Sequence, residues 1–141
     1  MEKIKVSIEL TDNWNREEFR QLVYNIKNKL YDTKNVEYEL WIITTNDTSS
    51  YVYAVAEQLD IPQDRVILCL TDSTKVGQII TNTDVHFDNK ETIVQAVTLN
   101  GSIWGVLVDR KLDYYNLGFK YITDFKRFSE AILRKRQDEK I

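Results

Sequence analysis

The sequence predicts an α/β protein, with a mainly parallel β-sheet held between two layers of helices. Three observations carry this. Five short segments of strand character alternate with helical segments along 141 residues. The connections are too short for anything but direct crossovers, and strands joined by helical crossovers in one sheet run parallel. Finally, a single proline (Pro62) and four glycines leave no composition break where a linker would start.

Residues Ile4 to Leu10 alternate apolar and polar with period two, the mark of a strand. Asn15 followed three residues later by Glu18 has the form of a capping box. Phe19, Leu22, Val23, Ile26 and Leu30 then mark one face of a helix. "VEYELWIITT", Val36 to Thr45, is β-branched and aromatic and reads as the second strand. A helix capped near Thr48 or Ser49 presents Tyr51, Val52, Val55, Ala56 and Leu59, and must end ahead of Pro62. "RVILCLT", Arg65 to Thr71, is an unbroken apolar run, which predicts a third strand buried on both faces. A short helix over Lys75 to Ile80 leads to a fourth strand, Asp84 to Asp88. Asn89 is placed to cap the next helix, which buries Ile93, Val94 and Val97. "SIWGVLVD", Ser102 to Asp109, is the fifth strand. After a tyrosine-rich connection, a last helix starts at Thr123 or Asp124 and carries Phe125, Phe128, Ile132 and Leu133. The pattern is that of a Rossmann-like three-layer sandwich.

Net charge is −3, the wrong sign for a general nucleic-acid binder. The basic run "LRKRQDEK", Leu133 to Lys140, is answered by Asp138 and Glu139 and reads as a solvated helix end. Cys69 is the only cysteine, so no intrachain disulfide or cysteine cluster forms; a buried strand position in a reducing compartment is expected. The N-terminus lacks the apolar core of a signal peptide, and no stretch approaches a membrane span, which points to the cytoplasm. No glycine-rich turn follows the first strand, which argues against a dinucleotide enzyme, and a Walker phosphate loop is absent. His86, the only histidine, falls inside the fourth strand and is expected as a hydrogen-bonded core residue. Abundant Lys, Asn, Ile and Tyr suit an AT-rich genome, such as that of a phage or a low-GC bacterium.

Two stretches resemble a known family. In "KVGQIITNTDVHFDNKETIVQAV", Lys75 to Val97, a lysine precedes a strand that ends in Asp88-Asn89, with a helix after it. In "LWIITTND" a hydrophobic strand ends in Thr45, with Thr44 the alternative. Their order and spacing resemble the haloacid dehalogenase-like (HAD-like) phosphohydrolases. The resemblance implies one domain over residues 1–141 without a cap insertion, and a five-stranded sheet in the order 3-2-1-4-5 with the first strand central. It also implies that Lys75 steadies a phosphoryl oxygen or the nucleophile, that Thr45 bonds phosphate and that Asp88 ligates Mg²⁺.

The first motif departs from the family, which has an aspartate nucleophile, a second aspartate two residues on, then a threonine. Laid on "KVSIELTDNW", these positions are Ser7, Glu9 and Thr11. Glu9 keeps a carboxylate, whereas Ser7 removes both the nucleophile and a charge for the metal. Asp12 is the nearby carboxylate in a different register. Alternation also leaves Lys3, Lys5, Ser7 and Glu9 on one face, which requires polar partners if the strand is central.

The expected function is therefore a catalytically degenerate HAD-like domain that acts by binding, as a regulatory or structural protein, and not an enzyme. The expected cofactor is none, or Mg²⁺ held weakly by Glu9 and Asp88. A protein partner or a phosphate-containing ligand is expected, with no membrane. Nucleic acid is disfavoured by charge. Eight tyrosines and three tryptophans, concentrated in "RKLDYYNLGFKY" (Arg110 to Tyr121), offer a contact surface. The alternative is a Mg²⁺-dependent phosphatase acting on nucleotides or nucleic-acid ends.

Overall fold

A computed structural model describes residues 2–10, 23–24, 36–100, 103–108, 114–115 and 125–139. The strands are β1 (Glu2–Ile8), β2 (Val36–Thr44), β3 (Val66–Leu68), β4 (Val85–Asp88), β5 (Trp104–Val108) and β6 (Tyr114–Tyr115). The helices are α1 (Ser49–Gln58), α2 (Asp72–Asn82), α3 (Glu91–Leu99) and α4 (Phe125–Glu139). Among the described residues the sheet order is β3-β2-β1-β4-β5-β6. The first five strands run parallel in the expected order 3-2-1-4-5, with β1 central, so the fold is Rossmann-like. The sixth, read from the sequence as part of a connection, pairs antiparallel with β5.

Strand alternation divides the core between two faces. Ile4, Val6 and Ile8 of β1 join Leu40, Ile42, Val85, Phe87 and Val106 on one face. Val23, Val52, Val55, Ala56 and Ile132 cover them. Val23 and Tyr24 are helical, as expected of the first helix; the rest of that helix and its capping box, with Thr11 and Asp12, lie outside the described residues. On the other face Ile43 packs with Cys69, Ile79, Ile93, Val97 and Ile103 beneath α2 and α3. Gly105 permits this layer to close. A Cβ there would come within 2.6 Å of Thr98 Oγ1 and 2.8 Å of the Val94 carbonyl oxygen.

Three expectations change. The third strand lies at the sheet edge, as the order 3-2-1-4-5 expects, but it keeps only three residues and is not buried on both faces: Leu68 is 38% exposed and Leu70, beyond the strand, 99%. An unbroken apolar run does not by itself require burial on both faces. Cys69 is buried but lies beyond the strand, its N–H donating to Thr44 O. The following helix begins earlier than Lys75, at Asp72, because Thr71 caps it by accepting the Thr74 N–H at 3.1 Å. Finally, Asn89 does not cap α3. The N-cap is Lys90, without a side-chain capping bond, and Asp88 Oδ1 accepts the Lys90 N–H at 2.9 Å as an Asx turn. The start foreseen for α4 at Thr123 or Asp124 lies outside the described residues.

α4 is tied to the N-terminal end of the sheet. Arg136 donates to Asp84 Oδ2 at 2.7 Å and to the Lys3 carbonyl at 2.9 Å, and Asp84 Oδ2 accepts the Lys5 N–H at 2.9 Å. Among the described residues, no helix is long and apolar enough to cross a membrane.

Candidate functional site

In a parallel sheet the C-terminal ends of the strands collect the loops, and with them the chemistry. The register Val6↔Val85, Ser7↔His86 and Ile8↔Phe87 sets β1 and β4 side by side. Glu9 extends the pairing by one step, its N–H donating to the Phe87 carbonyl at 2.9 Å. Ser7, Glu9, His86 and Asp88 therefore project from the same face, and the first turn of α2 lowers Lys75 onto them.

The result is one continuous buried network. Lys75 Nζ donates to Asp88 Oδ2 at 2.8 Å and lies 3.5 Å from Glu9 Oε2. His86 Nε2 is 2.8 Å from the same Asp88 oxygen, and His86 Nδ1 is 2.7 Å from Ser7 Oγ. Ser7 Oγ is also 3.2 Å from the Thr83 hydroxyl, which donates to the Ile79 carbonyl. Lys75 and Asp88 are each 1% exposed, Ser7 and His86 not at all. These contacts are the polar partners that the hydrophilic face of a central β1 requires. Nearer the sheet's other end, Lys3 pairs with Glu39 at 3.3 Å.

Protonation follows from the neighbours. Burial disfavours the Asp88 charge, but the His86 hydrogen bond and the Lys75 ammonium outweigh it and hold the carboxyl below its ordinary range. Burial lowers the His86 pKa, so its imidazole is neutral at neutral pH. An ionised Asp88 only accepts, which assigns the ring proton to Nε2 and leaves Nδ1 to accept the Ser7 O–H. Glu9 behaves differently. Burial pushes its carboxyl up to about 7, Lys75 opposing and Asp88 reinforcing the rise, with the Thr44 hydroxyl and Thr45 backbone N–H bonding the carboxylate. Its Oε2 makes no hydrogen bond.

Of the residues chosen from sequence, Glu9, Lys75 and Asp88 meet. Ser7 belongs to the same network but sits inside β1, two residues short of Glu9. Thr45 approaches Glu9 only through its backbone N–H; the hydroxyl comes from Thr44, the alternative. Sequence reasoning left His86 as a core residue without seeing that it links Ser7 to Asp88. The signal was its i, i+2 spacing from Asp88 on one strand face. Ser7, His86 and Asp88 have the composition of a hydrolase triad. Ser7, however, is the penultimate residue of β1 and has no exposed surface.

The carboxylate pair was also tested as a Mg²⁺ site. Mg²⁺ takes near-octahedral oxygen ligands at about 2.0–2.1 Å and keeps several waters. Here Asp88 Oδ2 already accepts from Lys75 and His86, Oδ1 accepts from Lys90, and the Lys75 ammonium stands beside Glu9. Among the described residues, no three His, Cys, Asp or Glu side chains form a metal-holding group. The arrangement does not fit a hydrated Mg²⁺ ion. A groove of about 460 Å³ lies elsewhere, lined by Ser50, Tyr53, Glu57, Ile61, Pro62 and Gln63.

Comparison of the chain with family models, curated proteins and solved structures finds no match.

Proposed function

We propose that this chain is a catalytically degenerate HAD-like domain of the cytoplasm that acts by binding a protein partner or a phosphate-containing ligand. The strand order supports this reading, as does the meeting of Lys75 and Asp88 at the strand mouths. The observation that carries it is the 2.8 Å Lys75–Asp88 contact, buried and turned inward. An ammonium and a carboxylate bonded to each other and shut off from solvent are less available to a phosphoryl group and a metal. Here each spends its charge on the other.

Glu9 favours a second reading, a surviving phosphatase. It stands at the mouth of β1 beside Lys75, where an attacking carboxylate belongs. Against this, Glu9 is 8% exposed, and burial leaves it about half protonated at neutral pH. Incubating the full chain with an aryl phosphate and with nucleotides, with Mg²⁺, separates the two. The binding reading expects no turnover above buffer. Hydrolysis that disappears in both Glu9→Gln and Asp88→Asn would establish the phosphatase.

A further inference from the structure

We propose that the Lys75 ammonium is the resident cation of the Glu9–Asp88 carboxylate pair and, by holding that place, keeps divalent metal ions out of it. The inference rests on the geometry of the cluster, not on the family reading.

Nζ lies 2.8 Å from Asp88 Oδ2 and 3.5 Å from Glu9 Oε2, so one cation faces both carboxylates. It is also walled in, because the Lys75 side chain is 2% exposed, that of Asp88 not at all and that of Glu9 9%. A dication entering here would meet a like charge within hydrogen-bond range in a weakly polarisable interior, where unscreened repulsion is strong. It would also have to displace the His86 and Lys75 donors from Asp88 Oδ2.

Glu9 Oε2 adds an independent indication. It is a buried carboxylate oxygen without a hydrogen bond, directed at the ammonium. Such an atom is costly to bury unless a positive charge faces it. Take Nζ away and two carboxylate oxygens, one on each side, line the vacated volume. That volume then suits a small cation with oxygen preference.

The sequence supplies its own probe, since His86 is the only histidine and its Nε2 touches Asp88. Manganese(II) prefers oxygen ligands like Mg²⁺ and, being paramagnetic, erases the NMR signals of nearby nuclei. Adding Mn²⁺ to the full chain while observing the His86 ring tests the inference without any activity. The wild type is expected to keep the His86 signal to the same extent as methyl signals of Val52, on the opposite face of the sheet. Lys75→Met keeps most of the stem and removes Nζ, while Lys75→Ala opens more space. Either variant, if folded, is expected to lose the His86 signal selectively on Mn²⁺ addition.

Selective loss of His86 in the wild type overturns the inference, and this arm needs no substitution. Retention of the signal in a folded Lys75 variant overturns it as well. A wild type that takes up Mn²⁺ here yet hydrolyses no phosphate ester would overturn this inference and leave the proposed function standing.

Discussion

The Lys75 ammonium and the Asp88 carboxylate lie thirteen residues apart in the chain and 2.8 Å apart in space, both sealed from solvent. Removing one member of a buried ion pair strands the other. Lys75→Met is therefore expected to cost about 3–5 kcal/mol in urea unfolding. Lys75→Met combined with Asp88→Leu should cost much less than the sum of the single changes, because no charge is left unpaired. Additive costs would mean that the two side chains do not depend on each other.

Glu9 gives the cluster a pH dependence with a definite sign. Its carboxyl titrates at about 7 in the fold against an ordinary 4.5, so the folded state holds more protons between those values. That contribution is complete below pH 4.5 and declines as pH rises through 7. His86, lowered from its ordinary 6.5, contributes oppositely, adding stability as pH rises towards 6.5. Asp88, depressed from 3.8, loses its contribution only in stronger acid. Comparison with Glu9→Gln isolates the first effect. The variant should gain on the wild type by roughly 1–3 kcal/mol between pH 5 and 8 in denaturant titrations. A pH-independent difference would contradict the buried carboxyl.

Ser7→Asp is expected to destabilise the protein and to produce no phosphatase. It would place a second carboxylate in the β1 interior, against the unprotonated Nδ1 of a neutral His86. Ser7→Ala, which only strands that nitrogen, should cost about 1–3 kcal/mol. Thermal unfolding of both variants, with a hydrolysis assay on the first, checks this. Activity in Ser7→Asp would mean that position 7 opens to substrate.

Gly105→Ala should cost about 1–3 kcal/mol, because the added methyl meets the Val94 carbonyl and the Val97 side chain of α3 at under 3 Å. Equilibrium urea unfolding is sufficient to detect it. No change would imply that α3 stands further from β5 than described.

Arg136→Ala should release α4. The variant loses charge-assisted bonds to Asp84 and Lys3, worth about 1.5–3 kcal/mol each at most and less here, because the guanidinium is partly exposed. Faster hydrogen exchange along α4 than in β1 is the expected outcome. Uniform exchange would show that apolar packing, that of Ile132 and Leu133 included, holds the helix without Arg136.

Much of this could be read in the sequence, and the limits have physical causes. Alternation in β1 and the turn-bounded apolar runs gave the parallel strands, because period and length report burial locally. Asp88 was legible as a carboxylate at a strand mouth, whereas Lys75 was singled out through the resemblance to the HAD-like family. The pairing of Ser7 with His86 was not legible, since it depends on the β1–β4 register, which no local pattern encodes. The edge position of β3 followed from the expected order 3-2-1-4-5, but its burial on both faces did not hold, and Leu68 and Leu70 show that an apolar residue need not be inside. Asn89 looked like a cap because its residue type suits one, yet Asp88, already bound to Lys75 and His86, takes the Lys90 N–H instead.

The central claim is that the strand mouths end in a closed, buried ion-pair network, not an open reaction site. The imidazole ¹⁵N resonances of His86, followed from pH 5 to 9, test it most directly, because the single histidine gives a single set of signals. A ring proton on Nε2, bonded to Asp88 and slow to exchange with water, with titration displaced below the ordinary 6.5, is the predicted result. A ring that titrates near its ordinary 6.5 with a rapidly exchanging N–H would contradict the account, because the cluster would then be open to solvent and to substrate.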